Sequence, residues 1–249
     1  MSTQAVQPKK LYAARLVRVV PLVPDGNTKH FEFELIPQGG GERFDFRAGQ
    51  FISMHLETNS AHDVRAYSIA SAPHPTRFDL CLNRVADGRF SNYLCDLQGD
   101  ETIRFEGPFG FFTPRQPFDR DAVFIATGTG IAPIRGMLQE LLGSARATDH
   151  EVWLVFGVRY PETILYRAEF EELAARHKNF HFWPTLSRAS ESWTGRCGHV
   201  QAHVEELCRG RVGSLDAYIC GLKAMVDDVR ARLKTLGFDR KAIRYEKYD

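Results

Sequence analysis

The sequence predicts a β + α/β chain: an antiparallel β-barrel over residues 1–116, then a parallel-sheet α/β unit over residues 117–249. Three observations predict it. Short strand-like runs separated by Gly and Pro turns fill the first part. Near residue 118 the apolar period changes, and strand candidates begin to alternate with helix candidates. A glycine-rich turn, Thr127-Gly128-Thr129-Gly130-Ile131-Ala132-Pro133, directly follows the apolar run at 122–126.

In chain order, residues 11–20 and 30–36 read as strands, the second with clear period-two alternation. A turn at 37–41 follows, and 50–56, 64–70, 77–85 and 101–106 read as further strands. Residues 115–119, Arg-Gln-Pro-Phe-Asp, mark the change between units. Beyond them, strands at 122–126, 152–156, 181–186 and 217–220 alternate with helices at 132–142, 167–177, 200–209 and 223–236. The third helix carries Val200, Val204, Leu207 and Cys208 at helical spacing. This alternation implies a parallel sheet with helices on both faces.

Composition narrows the class. A hydrophobic fraction of 43% and a charged fraction of 25% fit a globular protein. No apolar run is long enough to span a membrane, and the first ten residues lack the apolar core of a secretory signal. A net charge of +1 argues against general nucleic-acid binding. Cys81, Cys95, Cys197, Cys208 and Cys220 are scattered and form no CxxC pair. That fits reduced thiols in a cytoplasmic protein and argues against an iron–sulfur centre. No apolar dimer helix stands out, so a monomer is expected.

Arg65-Ala66-Tyr67-Ser68 places a cation, an aromatic face and a hydroxyl within one strand. For the tetrapeptide alone, a surface arginine and a half-buried barrel tyrosine on an ordinary strand are the better explanation. Gly88-Arg89-Phe90-Ser91 follows: Gly88 permits close backbone approach, and Ser91 is expected to cap a short helix whose free N–H groups face an anion. The aromatic turn at 107–112 reads as a plug closing the barrel. In the second unit, Thr127, Gly128, Thr129 and Gly130 turn the chain into a helix whose positive end suits a dinucleotide phosphate. Cys220-Gly221 ends the fourth strand of that unit, where open α/β sheets bind ligands.

Taken in order, 65–68, 88–91, 107–110, 127–133 and Cys220-Gly221 resemble the motifs of ferredoxin–NADP reductase-like flavoproteins, over nearly the whole chain. The resemblance implies that the barrel holds FAD through Arg65, Ala66, Tyr67, Ser68, Gly88, Arg89, Phe90 and Ser91. It implies a Rossmann-like second unit holding NADPH through Thr127–Gly130, with Ser187, Arg188 and Arg196 near the 2′-phosphate. Ser68, Cys220 and Glu246 are expected at the reacting centre. Tyr248 either stacks on the flavin as a mobile lid or is an exposed tyrosine on an edge strand, and Asp249 is one residue beyond the family's terminal aromatic. Leu222 replaces the proline that usually follows Cys-Gly. The implied partner is an acidic one-electron carrier, ferredoxin or flavodoxin. Two other readings stay open: an NAD(P)H-dependent reductase component of an oxygenase or cytochrome system, and a non-catalytic electron-transfer or regulatory subunit.

Overall fold

A computed structural model of the chain describes residues 10–37, 41–58, 61–143 and 147–248. Six strands build the first sheet: β1 (Leu11–Pro21), β2 (Thr28–Leu35), β3 (Phe51–Thr58), β4 (Ala61–Ser68), β5 (Arg77–Asn83) and β6 (Thr102–Phe109). Their order is β4-β3-β6-β1-β2-β5, and every pairing is antiparallel. A bridge between Ile69 and Leu80 joins the two edge strands and closes the barrel. Alternation sends Phe31, Phe33 and Leu35 of β2 inward, where they meet Phe44, Phe78 and Phe105. The Phe78 and Phe105 rings lie 5.0 Å apart in an edge-on contact, an arrangement that aromatic quadrupoles favour. Helix α1 (Arg89–Asp96) buries Phe90, Leu94 and Cys95 against this core.

The segment from Gly110 to Arg120 crosses to the second sheet and is pinned as it goes. Arg115 pairs with the buried Asp216 at 2.6 Å, and its backbone N–H donates to the Tyr218 hydroxyl. The aromatic turn before it does not plug the barrel. Phe112 is buried in the core of the second unit, while Phe111 is 97% exposed. The chain crosses between units here, so the turn's inward face belongs to the second core.

The second sheet holds β7 (Asp121–Thr127), β8 (Val152–Val158), β9 (Phe180–Leu186), β10 (Arg196–Cys197), β11 (Leu215–Leu222) and β12 (Ile243–Tyr248). The order is β10-β9-β8-β7-β11-β12, all parallel. Alternation splits β7 between two cores. Ala122, Phe124 and Ala126 pack under α2 (Ile131–Gly143) and α3 (Arg167–Arg176). Val123 and Ile125 pack under α4 (Val200–Cys208) and α5 (Lys223–Thr235). Helices therefore cover both faces, in agreement with the apolar period.

The strand order reverses between β7 and β11. The chain runs outward from β7 to β10, then returns to β11 on the other side. Such a reversal opens a crevice beyond the carboxyl ends of the two strands. Thr127 ends β7 there, and Cys220-Gly221 lies near the end of β11.

Candidate active site

The crevice meets the open end of the barrel in a cleft of about 420 Å³. Ala66, Tyr67 and Ser68 line it from β4, Ser91 from α1, Thr129 from the turn after β7, and Cys220, Glu246 and Tyr248 from β11 and β12. Segments far apart in the chain thus share one wall. Strict alternation would put Tyr67 and Ser68 on opposite faces. The strand ends at Ser68, and both residues reach the cleft.

Ser68 Oγ donates to Glu246 Oε1 at 2.9 Å, a direct bond between the two sheets. Burial pushes the Glu246 carboxyl above its ordinary range, and the Ser68 bond opposes that shift. Cys220 is the register partner of Glu246 on the neighbouring strand. Burial, then the nearby Glu246, pushes its thiol well up, so Cys220 is a neutral thiol rather than a nucleophile. The three residues expected at the reacting centre therefore lie together.

On the barrel side, Tyr67 is half-buried, and its ring centroid lies 5.7 Å from that of Phe90. Burial raises its phenol to about 12, so it stays neutral. Arg65 is exposed, with Nη1 donating to its own neighbour's carbonyl, Val64 O, at 2.8 Å. Arg89 reaches Asp63 at 3.5 Å. Ser91 does not cap α1. Gly88 is the N-cap and supplies no side-chain bond; Ser91 Oγ instead accepts from Val85 N and donates to Gly88 O. The helix begins one residue after Gly88, which puts Ser91 in its first turn. The first-turn N–H groups still point outward from the helix start.

On the other side, Thr127-Gly128-Thr129-Gly130 forms a 3-10 turn leading into α2. Gly128 holds a left-handed φ of 54°. Gly130 has no room for a side chain, because a Cβ would collide with the Cys220 carbonyl. Two motifs far apart in sequence are thus packed backbone against backbone. Thr127 Oγ1 is buried without a hydrogen-bond partner among the described residues, a polar atom left for a ligand to satisfy.

Tyr248 matches the edge-strand expectation in position but not in exposure. It ends the edge strand β12, yet it is half-buried. Its hydroxyl donates to Thr127 O at 2.9 Å and accepts from Gly130 N at 3.0 Å. Its ring therefore reaches from the edge strand into the glycine turn. Asp249 lies outside the described residues.

Ser187 and Arg188 follow β9, as expected. Their backbone N–H groups donate to Val158 O and Arg159 O, and Arg188 Nη1 donates to the Tyr160 hydroxyl at 3.2 Å. Arg188 is exposed. Arg196 is more engaged: it lies 3.6 Å from the Trp183 ring centroid and pairs with Glu206 at 3.0 Å. Tyr160 joins this group without a motif of its own. Its one signal in the sequence is its place just beyond the end of β8, next to the strand that carries Ser187 and Arg188.

Comparison with known proteins identifies both units. The oxidoreductase FAD-binding domain family matches residues 23–113, and the oxidoreductase NAD-binding domain family matches residues 124–231. The chain is 41% identical to ferredoxin–NADP reductase B of Sorangium cellulosum, over 96% of this chain and 98% of that one. This chain belongs to the ferredoxin–NADP reductase-like flavoprotein family. It is an oxidoreductase with an FAD-binding unit followed by an NAD-binding unit. It is also 31% identical to the electron transfer component of anthranilate 1,2-dioxygenase from Acinetobacter baylyi, over 77% of this chain but only 55% of that longer protein. A ferredoxin NADP+ reductase from Neisseria gonorrhoeae, solved with FAD and NADP bound, shares the fold with a TM-score of 0.78 at 24% identity, over 96% and 98% of the two chains. Among the described residues, no helix is long and apolar enough to cross a membrane.

Proposed function

We propose that this protein exchanges electrons between NADP(H) and an acidic one-electron carrier of the ferredoxin or flavodoxin type, through bound FAD. The observation that carries the reading is the Ser68–Glu246 bond across the cleft, with Cys220 beside it and the glycine turn above. When bound, a flavin supplies the redox chemistry, accepting a hydride and returning electrons singly. The residues present fit it: a mainly apolar cleft walled by Phe51, Ala66, Tyr67 and Leu82.

The chain's own residues divide the remaining work. Arg65, Arg89 and the first turn of α1 supply positive potential for the FAD pyrophosphate. Tyr67 offers its ring face, and Ala66, Gly88, Phe90 and Ser91 shape the wall around it. Thr127–Gly130 and the start of α2 hold the nucleotide phosphates. Ser68 Oγ orients the Glu246 carboxyl, whose raised affinity for protons suits it to hold or release one at the cleft. Cys220, neutral and buried, sets the floor by packing. Ser187, Arg188 and Tyr160 form the pocket for the 2′-phosphate, and Arg196 adds charge from β10.

The second reading, an NADH-dependent reductase component of an oxygenase, differs at this pocket. Steady-state turnover with a ferredoxin as acceptor separates the two. Arg188→Ala is expected to raise the KM for NADPH by about 10- to 100-fold, with little change for NADH, because one charge-assisted phosphate contact is worth about 1.5–3 kcal/mol. Equal KM changes for both nucleotides would remove the 2′-phosphate assignment. NADH preference in the parent protein would favour the oxygenase reading.

A further inference from the structure

Away from the cleft, the two units meet through a buried polar joint built on Arg135 and Tyr166. Arg135 lies on α2, a short way beyond Thr129. Its Nη1 donates to Ala70 O at 2.8 Å and to Asp79 Oδ2 at 3.0 Å, both on the barrel. Its Nε pairs with Glu169 of α3 at 2.8 Å. The side chain is only 11% exposed, so this cation is held by partners rather than by water. Ala70 lies just past Ser68. One guanidinium therefore ties the helix that follows the glycine turn to the strand end that carries Ser68.

Tyr166 locks the same joint from the side. It is a non-glycine residue in the left-handed region, at φ 56°, just before α3. Such a conformation persists only where surrounding contacts determine it. Here the ring lies 4.6 Å beneath the Arg135 guanidinium, and the hydroxyl meets His30 Nδ1 at 3.0 Å and the thiol of Cys81. Both of those partners belong to the barrel, and Cys81 lines the cleft. At Gly136, a Cβ would lie 2.5 Å from Ser71 O, so the helix and the barrel touch backbone to backbone.

We propose that Arg135 and Tyr166 are positioning residues that hold the glycine turn against the Ser68 end of β4, and so set the distance across which hydride passes. The proposal rests on the reading of the cleft as the FAD and nucleotide site. Neither residue lines the cleft, so both act through the segments they join. Arg135→Lys keeps the charge but loses the fork that reaches three acceptors. Tyr166→Phe keeps the ring and removes only the hydroxyl.

The test uses FAD-loaded protein and single-turnover flavin reduction by NADPH under anaerobic conditions, with NADP+ affinity, FAD content and Tm measured alongside. In Arg135→Lys, reduction at saturating NADPH is expected to slow at least about tenfold while NADP+ affinity changes less than about threefold, since ångström-scale misplacement penalises the transition state rather than binding. Tyr166→Phe is expected to slow reduction by a smaller factor and decides the matter if the lysine variant does not fold. Reduction within about twofold of parent in the folded variants, even with a lowered Tm, would overturn the proposal, because that is a purely structural effect. A parent protein reduced by neither nucleotide would instead remove the reading of the cleft, and the positioning role with it.

Discussion

At the scale of single residues, the cleft gathers groups whose protonation is set by burial. Glu246 is held by Ser68, so Glu246→Gln keeps the shape but cannot carry a proton. Turnover with the one-electron acceptor is expected to fall by about 10²-fold, in the range of lost general acid–base catalysis, while FAD content is retained. Unchanged turnover would exclude Glu246 from proton handling. Cys220 is 1% exposed with its thiol pushed well up, whereas Cys197 is exposed. Iodoacetamide at neutral pH is expected to label Cys197 and leave Cys220 intact, as read by peptide mass. Labelling of Cys220 in the folded protein would contradict the neutral, inaccessible thiol described above.

His30 offers a test with a definite sign. Burial, then the Arg135 cation, lowers it to about 4; Glu32 and Glu169 pull the other way, and Arg18, Asp79 and Tyr166 also face it. The unfolded chain, with an ordinary histidine near 6.5, binds the proton first as pH falls. Stability from this group is therefore present above about 6.5 and lost as pH drops toward 4. Denaturant melts at about pH 7 and about pH 4 should show the parent losing on the order of 2–3 kcal/mol more than His30→Gln. An equal loss in both would mean that His30 is not held neutral by the fold.

At the scale of elements, α2 does two jobs and its glycines separate them. A Cβ at Gly136 would lie 2.5 Å from Ser71 O, whereas one at Gly143 meets nothing within 4 Å. Gly136→Ala should destabilise by about 1–3 kcal/mol through forced backbone separation. Gly143→Ala should be neutral or stabilise by up to about 1 kcal/mol. Melting temperatures of the two variants, measured side by side, check the contrast. The same helix shows what the sequence could and could not disclose. Its start was legible because an apolar strand, a glycine-rich turn and a proline at the head of a second apolar run follow one another directly. Arg135 gave no such signal, since an arginine in a helix is ordinarily solvated. Yet Ile131, Ala132, Ile134, Met137 and Leu138 around it are all buried, and a helix apolar on most sides needs a partner for any charge it carries. The edge strand β12 was only one of two options. It buries Ile243 alone among its residues, so its charged and exposed positions leave no apolar period to read. The Ser68–Glu246 bond was hidden for a different reason: it joins residues 178 positions apart, and only the meeting of the two sheets brings them together.

At the scale of the whole molecule, function depends on two units sharing one cleft. The topology supplies half of it, through the reversal of strand order between β7 and β11, and the open end of the barrel supplies the rest. The interunit contacts at Arg115, Arg135 and Tyr166 are polar and directional, which suits a fixed geometry better than a sliding apolar face. Anaerobic titration of the purified protein's visible spectrum, first with NADPH and separately with NADH, examines both halves at once. A yellow protein bleached by stoichiometric NADPH and only by far higher NADH is the expected result. A protein that stays colourless after added FAD, or a bound flavin bleached by neither nucleotide, would contradict the assignment of this cleft.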